Sequence, residues 1–219
     1  MTIDNDEIDK VVSVVLHSWH ELGLLLEDQY DSISDKILAR NESILSLLKK
    51  FNGKIENDLV NFKTNMEKLG FSVEDMMWNH LVIMSQLALA QSEALKRFLI
   101  SILDKQKIFK NGNRKFYEYG YLIKELSNKI TDPKFRKCFE DIFNVELRNA
   151  LAHDDWWFEN RKFVFRDKHK KIVEYDFGKF MEEVKKINSV TRYFVYRYLE
   201  NYRKSHQSFQ HYNQLGFEL

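Results

Sequence analysis

Apolar residues recur along this chain at helical spacing over most of its length, and at alternate positions in one short stretch only. Ile8, Val11, Val12, Val15, Leu16 and Trp19 mark one face of a helix expected from about Asp6 to Tyr30. Ser32 and Asp35 have capping-box spacing and open a second helix that Asn52-Gly53 closes; a third runs from about Ile55 to Leu69 and ends at Gly70. Ser72 and Asp75 repeat the box before a helix from about Val73 to Asp104. Leu81-Val82-Ile83-Met84 and Leu87-Ala88-Leu89-Ala90 make that helix apolar on most sides, as a central buried helix should be.

A turn at Asn111-Gly112-Asn113 precedes a helix from about Phe116 to Ile130. Asp132-Pro133 places an N-cap before a proline at the first helical position, and the spacing predicts one helix from Pro133 to about Ala152 with Phe135, Cys138, Phe139, Ile142, Phe143 and Leu147 on one face. The period then changes. Lys162–Arg166 and Ile172–Tyr175 read as two strands of a hairpin with a charged turn, and Asp176 caps a last helix from about Phe177 to Lys204. The expected fold is all-α, a helical bundle with this small β-hairpin late in it. Residues 72–204 form the bundle, 1–71 an N-terminal helical elaboration packed on it, and 205–219 a polar tail.

Composition narrows the picture. One proline and seven glycines in 219 residues suit helices, and 44% hydrophobic with 31% charged residues suits a globular protein. A formal net charge of +1 gives no whole-molecule attraction to nucleic acid, so any such contact must be local. Cys138 is the only cysteine, which excludes an intrachain disulfide. The acidic N-terminus lacks the basic start of a signal peptide, and no apolar run has membrane-spanning length; a cytoplasmic protein without a membrane role is expected. The scattered histidines have no ligand spacing and there is no phosphate-binding glycine loop, so neither a metal nor a cofactor is expected.

The sharpest local feature is Glu146-Leu147-Arg148-Asn149-Ala150-Leu151-Ala152-His153-Asp154. Asn149 and His153, four apart, share a helix face, so the amide can set the imidazole's tautomer. Arg148 and His153 diverge by about 140° on an ideal helix, so they converge only if the helix ends or bends, or if a second copy supplies one of them. Arg148 falls opposite the phenylalanine stripe. Read alone, it could simply pair with Asp141 or Asn144, and His153-Asp154 could be a helix cap favoured by the dipole. Glu146 falls inside the apolar stripe, either bracing something buried or marking a slip in the helical phase. Glu93, in line with Asn79 and Gln86, has Arg97 at i+4 for a surface pair.

The Arg148-Asn149-x-x-x-His153 pattern, closing a helix late in a helical domain with one long helix after it, resembles the motif of the HEPN superfamily over about residues 73–204. The resemblance implies a metal-independent endoribonuclease, a toxin or defence effector in type, with Arg148, Asn149 and His153 catalytic and Glu93, Glu146 and Asp154 supporting. RNA would be cut through its ribose 2′-hydroxyl, leaving a 2′,3′-cyclic phosphate. It also implies a homodimer through the Pro133–Ala152 helix, with RNA as substrate and a protein antitoxin or nucleotidyltransferase as further partner. The alternative is a non-catalytic HEPN module that binds nucleotide, RNA or protein. Arg161, Lys162, Arg166, Lys168, Lys170 and Lys171, with Trp156 and Trp157 just before them, read as a surface that tracks phosphates and stacks bases, or as a solvated hairpin over core aromatics.

Overall fold

The computed structural model describes residues 4–26, 64, 67–108 and 118–202. The helices expected over residues 32–53 and 55–69, the 111–113 turn and the 205–219 tail lie wholly or largely outside the described residues. The described elements are α1 (Asn5–Glu21), α2 (Val73–Ile102), α3 (Lys105–Ile108), α4 (Tyr119–Ser127), α5 (Pro133–Ile142), α6 (Val145–Ala152), β1 (Trp156–Glu159), β2 (Lys162–Arg166), β3 (Ile172–Tyr175) and α7 (Phe177–Tyr202). The chain is mostly helical, and the described residues include a small antiparallel sheet in the order β1-β2-β3. No described helix is long and apolar enough to cross a membrane. The elements fall into two compact units that interleave in sequence, one built from residues 1–34, 91–145 and 186–219, the other from 35–90 and 146–185.

The first unit packs α1, the 91–102 part of α2, α4, α5 and the 186–202 part of α7. Its core is the α1 stripe read from sequence, with Trp19 edge-on to Phe139 (5.7 Å) and stacked on Phe194 (6.0 Å). Helix α1 stops at Glu21, well short of Tyr30, because Gly23 takes a left-handed conformation (φ 62°). The Leu24 N–H then bonds the Trp19 carbonyl (2.9 Å) and the Gly23 N–H bonds the His20 carbonyl (2.8 Å), a paired closure that satisfies the last carbonyls. Across the unit, the Arg197 guanidinium of α7 grips Asp9 of α1 through two hydrogen bonds, Nε to Oδ1 at 2.7 Å, and also reaches Glu200.

The expected Pro133–Ala152 helix is in fact two. Phe143 is extended (φ −103°, ψ 115°), which ends α5 at Ile142 and restarts the helix at Val145. Asn144, the residue before Val145, is of a type that favours helix starts. The break also lets Phe143 stay buried, 4.9 Å from Phe139 and 6.2 Å from Tyr119. Apolar periodicity alone did not show it, because the stripe continues through the break.

The second unit contains residues 73–90 of α2, then α6, the sheet and the start of α7. The capping box at its head forms, with the Asp75 N–H on Ser72 Oγ (3.1 Å) and the Ser72 N–H on the Asp75 carboxylate (2.8 Å). Where two strands were expected there are three. The added β1 pairs with β2 from Trp156↔Phe165 to Glu159↔Lys162, around a two-residue turn with Asn160 (φ 49°) and Arg161 (φ 61°) both left-handed. That is the mirror-type hairpin turn, hidden in the sequence because arginine stands where glycine is usual. Alternation puts Trp156, Phe158, Phe163, Phe165, Val173 and Tyr175 on one face of the sheet. On that face Phe163 stacks between Trp156 (5.0 Å) and Phe180 of α7 (4.3 Å).

Candidate functional site

The break before Val145 resets the helical phase of the motif, so its wheel must be redrawn for α6 alone. Leu147, Arg148, Ala150 and Leu151 are its buried residues. Arg148, expected on the side away from the core, is only 9% exposed, whereas His153 is exposed. Burial pushes the guanidinium's pKa below its ordinary value, although arginine stays charged. Its Nη1 donates to Asn149 Oδ1 at 3.0 Å. The helical spacing paired that amide with His153; here it is Arg148 that the amide holds. Glu146, puzzling on the longer wheel, sits half-exposed in the first turn of α6 with Lys168 Nζ 3.9 Å away.

The end of α6 is closed like that of α1. The His153 N–H continues the helix to the Asn149 carbonyl (3.0 Å), Asp154 turns left-handed (φ 56°), and the Asp155 N–H reaches back to the Ala150 carbonyl (2.9 Å). Aspartate is among the few residues that tolerate this conformation, and its use here ends the helix just after His153 and sends the chain into β1.

Asp155, which the sequence pattern does not single out, anchors the sheet to the motif. It accepts from Arg166 Nη1 (2.9 Å) and meets Lys170 Nζ (3.5 Å), and its carbonyl takes the Arg166 N–H (3.2 Å). Nothing in the His153-Asp154-Asp155 run marks the last aspartate over the one before it.

The six cations assigned to RNA separate into two groups. Arg161 and Lys162 lie at the β1–β2 turn, while Arg166, Lys168, Lys170 and Lys171 lie at the opposite end of the sheet, where α6 enters. Four of the six meet carboxylates: Lys162 with Glu174 (2.5 Å), Arg166 and Lys170 with Asp155, and Lys168 with Glu146. The Glu174 hydrogen bond, then its charge, raise the Lys162 pKa. Asp154, Asp155, Glu159, Asp167, Glu174 and Asp176 equal those six cations in number, so the hairpin is not a net basic patch. Exposed pairs of this kind are worth little and can be exchanged for phosphate.

The two tryptophans also separate. Trp156 belongs to the packed aromatic face, against Phe163 and 5.9 Å from Trp78. Trp157 is on the other face, half-exposed, its Nε1 donating to Glu159 (3.1 Å) and the Arg166 guanidinium 5.2 Å above its ring. Glu93 meets Lys96 at 3.6 Å. Among the described residues no group of three His, Cys, Asp or Glu side chains is placed to hold a metal ion.

No protein family, curated protein or solved structure matches this chain.

Proposed function

We propose that the chain is a HEPN-type endoribonuclease that cuts RNA through the ribose 2′-hydroxyl without a metal, a toxin or defence effector in kind. The observation that carries the reading is the end of α6, where an exposed imidazole stands one turn from the Asn149 amide that holds the Arg148 guanidinium. His153 would exchange a proton with the substrate. Arg148 would stabilise charge on the phosphorane-like transition state. The reading includes a homodimer through α5 and α6 that completes the site across its interface, as the motif resemblance implies, with an antitoxin or nucleotidyltransferase as a further partner.

The test is incubation with single-stranded RNA in EDTA. Cutting that yields 2′,3′-cyclic phosphate ends, and that His153→Ala abolishes with helical circular dichroism unchanged, is the expected result. Cutting that chelation stops, or that survives His153→Ala, would sink the mechanism. The burial of Arg148 and the carboxylate-paired hairpin favour one second reading, a non-catalytic module that binds nucleotide, RNA or protein. RNA bound with saturation but never cut would select it.

A further inference from the structure

Two histidines leave the same end of the sheet. His153 stands three residues before β1 begins at Trp156, and His169 three residues after β2 ends at Arg166. These strand ends pair with each other (Trp156↔Phe165), and the pairing is prolonged by the Arg166 N–H on the Asp155 carbonyl (3.2 Å). The 167–171 turn that carries His169 is further pinned along α6 on both sides of that histidine. Lys168 meets Glu146 in the first turn of α6 (3.9 Å), and Lys170 meets Asp155 just past its end (3.5 Å). Glu146, Asn149 and His153 follow one another at helical spacing, so Lys168 ties the turn to the first turn of the stripe that bears the candidate catalytic histidine, and Lys170 ties it to the chain two residues past that histidine. Asp167 shapes the turn, its Oδ1 accepting the His169 and Lys171 N–H groups (both 2.8 Å). Both imidazoles are exposed.

We infer that His169 is a second catalytic histidine of this site, the general acid that complements His153 as general base. The inference rests on the nuclease reading above. Transesterification needs two proton transfers. His153 takes the proton of the 2′-hydroxyl while the 2′-oxygen bonds to phosphorus; the bond from phosphorus to the 5′-oxygen breaks, and His169 gives its proton to that oxygen. The products are a 2′,3′-cyclic phosphate and a 5′-hydroxyl, and solvent returns the histidines to their starting states. Of the groups around His169, Lys168 and Lys170 are engaged by Glu146 and Asp155, Arg166 by Asp155, and Lys171 is exposed. The carboxylate of Asp167 is the anion beside the imidazolium.

The two roles come apart with a leaving group that needs no proton. His169→Gln should slow cleavage of a dinucleoside monophosphate by about 10²–10³-fold, the usual worth of a general acid. It should change cleavage of uridine 3′-(4-nitrophenyl phosphate) by only a few-fold, about the experimental scatter, since nitrophenolate leaves unprotonated. His153→Ala should slow both substrates. The wild-type pH–rate profile should be bell-shaped, and His169→Gln should lose its alkaline limb. A variant that cuts the dinucleotide at the wild-type rate overturns the inference, as does one that slows both substrates equally, which marks a structural role. The reverse pattern, with His153→Ala sparing the nitrophenyl ester, overturns the assignment of roles. Wild-type protein inert toward both substrates overturns the nuclease reading itself, and this inference with it.

Discussion

Arg197 and Arg148 are both drawn into the fold, and the surroundings treat their charges in opposite ways. Arg197 is a quarter exposed and gripped by Asp9 and Glu200; the Asp9 hydrogen bonds are the largest cause that raises its pKa. Arg148 is more deeply buried, donates to the neutral amide of Asn149, and has its pKa lowered by burial. A guanidinium whose charge carboxylates stabilise is a clamp and gains little from another anion. A guanidinium whose charge burial penalises gains more from an arriving phosphate, because that phosphate offsets a desolvation already incurred. The first arrangement ties helices together; the second is the one on which the proposed phosphoryl role of Arg148 would draw.

The largest expected effects separate the two arginines by activity. Arg148→Ala should lower RNA cleavage by about 10²–10³-fold, as loss of a transition-state donor does. Arg148→Lys should recover little, since a point charge lacks the fork. A dimer of one Arg148→Ala chain and one His153→Ala chain should keep partial activity if the site is shared. If the mixed dimer is as dead as either mutant homodimer, the composite site is wrong.

Arg197→Ala should do the reverse. Losing a two-pronged, partly buried pair and leaving Asp9 behind should cost about 1–3 kcal/mol. In urea melts this would appear as a lower midpoint, with cleavage per folded molecule unchanged. Equal loss of activity in both variants would erase the distinction between clamp and site.

A smaller effect concerns the cations at the α6 end of the sheet. Replacing Lys168, Lys170 and Lys171 with Ala should weaken RNA binding and flatten its salt dependence, the log–log slope falling by about 0.7 for each phosphate that a lysine no longer neutralises. An unchanged slope would make these lysines local partners of Glu146 and Asp155 and nothing more.

The smallest effect extends the comparison to a histidine. Burial, with the Phe177 ring 5.7 Å away, pushes the His80 pKa down. The unfolded chain therefore takes up this proton first, near its ordinary pH of about 6.5. Stability from this residue is present above that pH and falls as pH drops through the lower folded value. His80→Gln should flatten the acid side of a stability–pH curve, and an unaltered curve would contradict the assignment.

Much of the fold was legible along the chain. The α1 stripe, the capping box at Ser72 and Asp75, the Asp132-Pro133 start and the Asp176 cap are local patterns, and each is where the residues put it. They were legible because caps and periodicity depend on neighbours within about one helical turn. The motif was legible as residues, but its geometry was not. Whether Phe143 continues a helix or breaks it depends on whether Phe139, Tyr119 and Phe194 can surround it, which is a matter of residues distant in the chain. That one break buried Arg148, left Glu146 half-exposed and set Asn149 to hold the arginine. The third strand and the anchoring role of Asp155 were likewise set by the partner strand. By itself the sequence determined the helical character, the capped starts at Ser72, Asp132 and Asp176, and the residues able to do chemistry. Only the tertiary structure decided which of those residues face water, because burial is a property of what packs against a side chain and not of the side chain alone.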